Sequence, residues 1–344
     1  MISYDETLWA PFRRTIITDV GGKTIEEISD FAREELQQVQ SLLVVCNRKD
    51  EAEFLFSKLR DGAEAAYHLS ASMCTAHRRD VIARLRAALN AGQKCVCVAT
   101  QVIEAGVDIS FQRVIRLAAG MDSVVQAAGR CNRNGESEEP VPVFVIPCLG
   151  EKLGKLREIE EGKKATISLL DEFRRMPQRF GNDLSSKTAI DTYYRKLYQE
   201  MKKEYQDYVI DKPRTTLFDL LSMNQKFYDT DTACYGKFLI NQAFKLAGKR
   251  FEVFDSCTRD LIVPYGKGAE LIAELTGWEN PTPAYLANWV RRARPYSIAV
   301  YEWQLKILGN AVTEHAGVAV LTEGFYDCDT GLVSRPVASD FLEV

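Results

Sequence analysis

The 344 residues of this chain comprise 46% hydrophobic and 27% charged residues, with a formal net charge of −4. This composition is typical of a folded globular protein of about two domains. It excludes a protein that binds nucleic acid through a broad positive surface, so any such contact must be local. No apolar run approaches the roughly 20 residues of a membrane span. Nine irregularly spaced cysteines predict reduced thiols in a cytoplasmic protein without a membrane partner.

Strand and helix patterns alternate over residues 1–150. The candidate strands are Arg14–Thr18, Leu42–Cys46, Ala65–Leu69, Cys95–Ala99, Val114–Leu117 and Val143–Ile146. Helical periodicity between them covers Thr24–Gln40, Asp50–Leu59 and His77–Leu89. Strands that alternate with helices predict an α/β domain, in which a parallel sheet is covered by helices on both faces.

The next segment, residues 151–212, is strongly charged and reads as a helical linker interrupted at Pro177. Ser185 or Ser186 is a plausible cap for its second helix. That helix carries an aromatic and apolar stripe formed by Ile190, Tyr193, Tyr194, Leu197, Tyr198 and Met201. Such a stripe either packs the helix onto its own domain or stacks on nucleic-acid bases, and the sequence leaves both interpretations open.

Residues 213–344 alternate turns with short apolar runs, which predicts a mixed α+β C-terminal domain. The candidate strands here are Phe251–Phe254, Leu261–Pro264, Ser297–Tyr301, Val318–Leu321 and Leu332–Val333. Turns are expected where Pro, Asn, Asp and Gly cluster between these runs. The chain is thus predicted to have three parts, with boundaries near residues 150 and 212.

Polar and glycine residues between two apolar runs make residues 98–135 the most informative part of the chain. Gly106 lets the backbone pass close to a ligand, and Asp108 accepts hydrogen bonds from ribose hydroxyls or from water on a phosphate. Arg130 and Arg133 lie three residues apart and hence on one helix face, where two guanidinium groups form a clamp for phosphate. A structural core does not account for this pattern.

This segment resembles motifs V and VI of superfamily 2 helicases, and more narrowly the helicase–nuclease of type I CRISPR systems. The matching stretches are residues 100–111 (TQVIEAGVDISF), 122–123 (DS) and 126–135 (QAAGRCNRNG). Ala127 departs from the pattern, because many members carry Arg there. Residues 42–52 (LLVVCNRKDEA) resemble motif IV of the same proteins.

The C-terminal residues resemble the accessory domain of that family in shorter pieces. These are residues 257–265 (CTRDLIVPY), 294–301 (RPYSIAVY) and 324–332, which contain GFYD and TGL. The resemblance implies a second RecA-like helicase lobe over residues 1–150, with the helical linker and the accessory domain following it.

The resemblance also implies roles for individual residues. Arg130 and Arg133 are expected to act as arginine fingers on the γ-phosphate. Gln126 is expected to position water. Nucleotide contacts are expected from Gly106 and Asp108. Contacts to the DNA backbone are expected from Asn47, Arg48, Ser70, Ser72 and Thr100, which follow strands. No metal ligand is expected.

Two short segments imitate motifs of the other helicase lobe. Gly21–Thr24 (GGKT) looks like the end of a P-loop, but the first glycine of that pattern would fall at Ile17, inside a strand. Residues 50–53 (DEAE) look like an acidic Mg²⁺ box, but Asn47–Lys49 separate them from the preceding strand. They are better explained as a helix start with acidic residues near the positive end of its dipole.

Neither a P-loop, nor a DExH box, nor the His and Asp cluster of the family's nuclease is found in the sequence, which has three histidines. The first hypothesis is therefore that the chain is the C-terminal half of an ATP-dependent single-stranded DNA translocase of antiviral CRISPR interference, inactive as an isolated chain. ATP would then be shared with a separate first lobe, and Mg²⁺ would bind only through that lobe. The expected partners are single-stranded DNA, the nuclease and first lobe, and the RNA-guided effector complex.

A second hypothesis is a non-catalytic module that contacts DNA or the effector complex without hydrolysis. Retention of Gly106, Asp108, Arg130 and Arg133 favours the first hypothesis, and absence of the first lobe favours the second. A lobe of another superfamily 2 translocase, such as a restriction subunit, is a weaker third interpretation, because the C-terminal resemblance speaks against it.

Overall fold

The computed structural model describes residues 13–104, 106–154, 156–200, 208–210, 215–222, 242–251, 258–278 and 282–336. The chain forms two compact units. The larger unit contains residues 1–193 together with 258–344, and the smaller one contains residues 194–257. No helix among the described residues is both long and apolar enough to cross a membrane.

The larger unit is built on a six-stranded sheet in the order β1-β6-β5-β2-β4-β3, in which every pairing is parallel. Its strands are β1 (Thr15–Asp19), β2 (Ser41–Val45), β3 (Ala65–Leu69), β4 (Cys95–Ala99), β5 (Arg113–Leu117) and β6 (Val141–Ile146). The helices between them are α1 (Ile25–Gln38), α2 (Lys49–Leu59), α3 (Thr75–Asn90) and α4 (Met121–Ala128). The predicted α/β fold with a parallel sheet is confirmed.

The core of this lobe lies on both faces of the sheet. Strands β2 and β4 are buried at every position, because neighbouring strands flank them and helices cover their two faces. One face packs Leu43 and Cys97 against α3, and the other packs Leu42 and Val96 against α1 and α2. This double burial explains why the two strands read as continuous apolar runs.

Local hydrogen bonds at two helix starts settle predictions made from sequence. Thr24 caps α1, since its hydroxyl accepts from the Glu27 amide at 3.3 Å. Residues 21–24 therefore form a strand-to-helix turn rather than a phosphate loop. Helix α2 begins at Lys49, so the DEAE segment is a first helical turn, as expected.

The charged segment after the sheet forms α5 (Arg157–Arg175) and α6 (Lys187–Glu200), separated by a short 3₁₀ turn at Pro177–Phe180. Ser186 accepts from the Ala189 amide at 3.2 Å and is the cap anticipated from sequence. The aromatic residues of the stripe on α6 lie in two different environments. Tyr193 is buried and donates to Asp122 at 3.1 Å, whereas Tyr194 and Tyr198 are exposed and stack on each other with centroids 6.2 Å apart.

Residues 258–336 of the larger unit form a mixed four-stranded sheet in the order β10-β9-β12-β11. Its strands are β9 (Thr258–Ile262), β10 (Ser297–Tyr301), β11 (Val312–His315) and β12 (Val318–Leu321). The helices α9 (Lys267–Thr276), α10 (Pro283–Ala293) and α11 (Glu302–Leu308) accompany it, and the short strands β13 (Tyr326–Asp327) and β14 (Gly331–Leu332) form a hairpin. Trp289 is buried and its indole donates to the Leu271 carbonyl at 2.9 Å. The predicted mixed C-terminal region is confirmed.

In the smaller unit the described elements are β7 (Val209–Ile210), β8 (Thr215–Thr216), α7 (Leu217–Leu221) and α8 (Phe244–Arg250). They share a small core of Ile210, Leu220 and Ala247. The predicted strand Phe251–Phe254 lies mostly outside the described residues. The three-part division at residues 150 and 212 stays a prediction.

Candidate nucleotide and nucleic-acid site

Asp108 and Arg133, 25 residues apart in sequence, are brought together on the surface of the lobe that contains the six-stranded sheet. The Arg133 Nε donates to the Asp108 carboxylate at 2.7 Å. Both side chains are accessible, with 79% of Asp108 and 40% of Arg133 exposed. A surface ion pair of this kind is weak and opens readily, so the Arg133 guanidinium can exchange its carboxylate for another anion.

A cavity of about 360 Å³ opens beside Arg133. Arg13, Arg14 and Gly129 also line it, and the Arg14 guanidinium donates to the Arg133 carbonyl. Two of these three arginines are paired with carboxylates, Arg133 with Asp108 at 2.7 Å and Arg13 with Asp183 at 3.3 Å. An anion that entered the cavity would therefore compete with these carboxylates for the guanidinium groups.

Arg130 has a different environment from Arg133. Only 7% of this residue is exposed, and its guanidinium donates to the carbonyls of Ile103 at 3.0 Å and Glu104 at 2.5 Å. Burial lowers the pKa of Arg130, and the nearby charge of Arg133 lowers it further. Arg130 thus holds the loop that follows β4, whereas Arg133 faces solvent.

Gln126 and Gly106 complete the group that the resemblance assigns to nucleotide. Gln126 is exposed on α4, one turn before the arginines. Gly106 is exposed and has a φ of +74°, a conformation that glycine adopts without strain. Both are accessible, but their roles stay predictions, as do those of Asp108, Arg130 and Arg133.

The predicted DNA-contact residues gather at the carboxyl edge of the sheet, as their strand-end positions require. The Thr100 amide donates to the Leu69 carbonyl at 2.9 Å, and the Gln101 side chain donates to the Asn47 carbonyl at 3.4 Å. Thr100 and Asn47 are themselves buried. Their side chains therefore do not face solvent, and a direct contact to DNA stays a prediction.

Arg48 is the most accessible of the predicted DNA-contact residues. Its guanidinium makes a two-pronged contact with the Asp50 carboxylate and donates to the Lys152 carbonyl. About a third of the side chain, 33%, remains exposed. A phosphate would have to compete with Asp50 for this guanidinium.

The turn after β3, which contains Ser70 and Ser72, is covered by the C-terminal hairpin. The Leu332 amide donates to the Ser72 carbonyl at 2.9 Å. A Cβ at Gly331 would lie 2.4 Å from the same carbonyl oxygen, so only glycine allows this approach of two backbones. Both serines are buried, which differs from the open phosphate-binding turn expected from sequence.

His77 anchors the C-terminal hairpin to α3. Its Nε2 lies 2.9 Å from the Cys328 carbonyl, its Nδ1 lies 3.0 Å from the Tyr326 hydroxyl, and its ring stacks on Tyr265 with centroids 4.2 Å apart. Burial lowers the pKa of His77, which favours the neutral ring. The neutral tautomer then donates from Nε2 and accepts at Nδ1.

A buried polar cluster that the sequence analysis missed surrounds Arg116. This residue is fully buried in β5, yet its guanidinium is satisfied by Glu104 at 3.0 Å, by Ser123 at 2.7 Å and by Asn47 at 2.7 Å. The available signal was Arg116 itself, which stands between the apolar residues Ile115 and Leu117 of the strand RVIRL. A charge in a fully buried strand needs several partners, so it marks a polar network.

The same network reaches the residues that follow β6. Asn47 donates to Glu151 at 2.9 Å, and Glu151 also pairs with Lys163 of α5. Burial raises the pKa of Glu51 to about 8, and the neighbouring Glu151 carboxylate contributes to this rise. Among the described residues, no group of three or more His, Cys, Asp or Glu side chains could hold a metal ion.

The parallel six-stranded sheet, with the loops after β4 and α4 meeting on its surface, has the fold of a RecA-like lobe. Residues 38–136 match the family described as CRISPR-associated nuclease/helicase Cas3, C-terminal. Over 41 residues, 12% of this chain and 4% of the relative, the sequence is 63% identical to the CRISPR-associated nuclease/helicase Cas3 of Haloferax volcanii. Residues 38–136 are therefore similar to the C-terminal region of the Cas3 nuclease/helicases.

Solved structures of Cas3 share the fold over most of the chain. The crystal structure of T. fusca Cas3-ADP covers 93% of this chain with a TM-score of 0.58 and 14% identity. A chain in a CRISPR RNA-guided surveillance complex, pre-nicking, covers 93% with a TM-score of 0.53 and 14% identity. This chain spans 43% and 44% of the length of those two chains.

Proposed function

We propose that this chain is the C-terminal half of an ATP-dependent, single-stranded DNA translocase of CRISPR interference. It would supply an arginine finger and a DNA-facing edge to a first RecA-like lobe that holds the P-loop. The observation that carries the proposal is the meeting of Asp108 and Arg133 at 2.7 Å beside a cavity lined by two further arginines. The match of residues 38–136 to the C-terminal family of Cas3 nuclease/helicases supports it.

The nucleotide side of the proposal assigns different tasks to the two arginines. Arg133 is partly exposed and its ion pair with Asp108 lies at the surface, so we assign it as the finger that reaches the γ-phosphate held by the other lobe. Arg130 is buried and keeps the loop of Ile103 and Glu104 in place. Gly106 and Asp108 would face the nucleotide, and Gln126 would position water.

The DNA side uses the carboxyl edge of the sheet. Open α/β sheets bind ligands at this edge, where Asn47, Arg48 and Thr100 lie close together. Arg48 is the cation that phosphate would meet first, because its side chain is the accessible one. Ser70 and Ser72 would take part only after the C-terminal hairpin leaves them.

The proposed cofactors and partners follow from the family. ATP would bind between this lobe and the first one, with Mg²⁺ held by the first lobe. One similar structure is the ADP form of T. fusca Cas3, and another belongs to an RNA-guided surveillance complex. We propose that this chain also works with a nuclease and such an effector complex. The cytoplasmic location stays a prediction from the cysteine pattern.

The isolated chain is expected to show no measurable ATPase, with or without poly-dT. The reason is that the sequence has no P-loop: Thr24 caps α1, and the Lys23 backbone forms a β-bridge with Cys148 in the lobe. The measurement is steady-state phosphate release by the chain alone and after addition of a first RecA-like lobe of the family. Turnover by the chain alone that Lys23→Ala abolishes would contradict the proposal. Failure of the added lobe to restore turnover would favour the non-catalytic module.

The isolated chain is expected to bind poly-dT weakly, with a shallow salt dependence. Few cations lie at the proposed edge, and each neutralised phosphate of a single strand releases about 0.7 counterions. The combined variant Arg48→Ala, Thr100→Val should lower the affinity in a fluorescence titration at several salt concentrations. The matched control is Lys58→Ala. It removes an exposed cation from the last turn of α2, the helix that Arg48 precedes. Equal affinities of wild type and the combined variant would place the DNA surface elsewhere.

A further inference from the structure

The loop after β4 is held from two sides by arginines that the sequence places far from it. The Arg130 guanidinium binds the carbonyls of Ile103 and Glu104, as described above. The Glu104 carboxylate is bound in turn by Arg116, with Nε and Oε1 3.0 Å apart, and by the Ser123 hydroxyl at 2.7 Å. This short segment lies between Thr100 on the DNA side and Gly106 on the nucleotide side.

Arg116 also joins this loop to three other elements. Its Nη1 donates to the Asn47 side chain at 2.7 Å, the Leu117 carbonyl at 2.7 Å and the Val45 carbonyl at 3.3 Å. Its Nη2 donates to Ser123 in the first turn of α4, the helix that leads to Arg133. One guanidinium therefore connects the ends of β2 and β5, the loop after β4 and the start of α4.

The ion pair with Glu104 is a poor source of stability by itself. Burial raises the pKa of Glu104 and lowers the pKa of Arg116, which shows that both charges lose hydration that their pairing must offset. In proteins, replacement of a buried ion pair by apolar residues of similar volume is often neutral in folding free energy. A fully bonded polar cluster instead fixes one geometry of the elements that it joins.

We propose that Arg116 is a positioning residue that locks the loop after β4, so that the DNA edge and the phosphate side of the lobe change position together. The proposal rests on the proposed function for the identity of the two ligands. The lock itself is a property of the lobe and can be measured without either ligand.

Hydrogen exchange on the chain as it exists tests the lock directly. The Ile103 and Glu104 amides are bonded to Thr100 and Gln101 carbonyls at 3.3 and 3.0 Å, so their exchange reports opening of the loop. In Arg116→Met and Ser123→Ala, these amides should exchange about tenfold faster or more, because a buried charge-assisted bond is lost. Ser123→Ala removes a single hydroxyl and keeps the test valid if Arg116→Met fails to fold.

The matched control is Arg113→Met. Arg113 lies on the same strand and pairs with Glu35 at 3.3 Å, with 17% and 11% of the two side chains exposed, but it joins β5 to α1. This variant loses an arginine–glutamate pair that is somewhat less buried than Arg116–Glu104, without touching the loop. Its Ile103 and Glu104 amides should exchange as in the wild type. Equal exchange in wild type, Arg116→Met and Ser123→Ala would overturn the proposal.

A second readout separates positioning from general stability. With the first lobe supplied, the affinity for poly-dT is measured with and without a non-hydrolysable ATP analogue. A coupling between the two ligands is typically about 5- to 150-fold, and it should shrink toward unity in Ser123→Ala but not in Arg113→Met. Coupling that is unchanged in Ser123→Ala would overturn the proposal. Wild-type protein without coupling would contradict the proposed function, while the exchange result still decides whether Arg116 holds the loop.

Discussion

With a first RecA-like lobe supplied, Arg133→Ala is expected to lower the DNA-stimulated ATPase by about 10³-fold, which corresponds to roughly 4 kcal/mol of activation free energy. Charge on the γ-phosphate oxygens develops mainly in the transition state, so a guanidinium that reaches them lowers the barrier more than it tightens binding. The kcat should therefore fall, while the KM for ATP should change far less.

The structure supplies a closely matched control for this variant. Arg33 pairs with Asp30 at 2.9 Å, and 46% and 70% of their side chains are exposed, which is similar to Arg133 and Asp108. Arg33 lies on α1, away from both loops. Arg33→Ala should leave turnover unchanged, because removal of an exposed ion pair costs little.

Arg130→Ala is expected to lower turnover by a comparable factor, but through the loop that it holds. Loss of its two bonds to the Ile103 and Glu104 carbonyls leaves buried acceptors without partners, which also reduces the free energy of unfolding. Thermal unfolding therefore distinguishes the variants: Arg133→Ala should melt like wild type, and Arg130→Ala should melt earlier. Unchanged turnover in both variants would reject the arginine-finger assignment.

Acid is expected to lower the stability of this protein, and His68→Phe should remove a large part of that effect. His68 lies in β3, is 1% exposed, and neither ring nitrogen has a hydrogen-bond partner. Burial lowers its pKa to about 4 from an ordinary value of 6.5, and the nearby His77 contributes to the shift while Asp327 opposes it. The folded protein therefore accepts a proton at this site only under strongly acidic conditions.

The sign of the effect follows from proton binding in the two states. Between pH 6.5 and about 4 the unfolded chain binds a proton at His68 and the folded chain does not. The stabilisation is therefore fully present above pH 6.5 and is lost as the pH falls toward 4, by about 3 kcal/mol in total. Phenylalanine binds no proton, so the difference between the two stability profiles should grow across this window.

Urea unfolding at several pH values measures both profiles. At pH 7.5 the variant should be as stable as wild type or more stable, because two unpaired buried nitrogens are removed. Phe56, whose ring centroid lies 5.6 Å from that of His68, provides the control: Phe56→Leu should lower stability by a similar amount at every pH and keep the acid slope. Parallel profiles for wild type and His68→Phe would contradict the assignment.

Apolar periodicity in the sequence was sufficient to predict the helicase lobe. Strands Ala65–Leu69 and Cys95–Ala99 have the predicted bounds, and the other strands of the lobe differ by one or two residues at their ends. This agreement has a local cause, since the pattern of apolar residues decides which face of each element is buried. The glycine and arginine pattern of residues 98–135 likewise indicated the family before any contact was known.

Tertiary structure alone decided which of the candidate side chains are accessible. Arg130 and Arg133 look equivalent in sequence, yet one is buried against carbonyls of the β4 loop and the other is exposed. Ser70 and Ser72 were expected to be open, but a backbone more than 250 residues later covers them. No local pattern carries this information, because the partners come from distant parts of the chain.

The same distinction explains why Arg116 escaped prediction. Its position in an apolar run was visible, but its partners Asn47, Glu104 and Ser123 come from three other elements. Sequence by itself determined the order of elements, the sheet and the resemblance to a helicase family, because those depend on periodicity and short motifs. Only the folded structure decided which polar groups satisfy one another and which remain free for a ligand, because buried hydrogen bonds depend on groups that folding brings together.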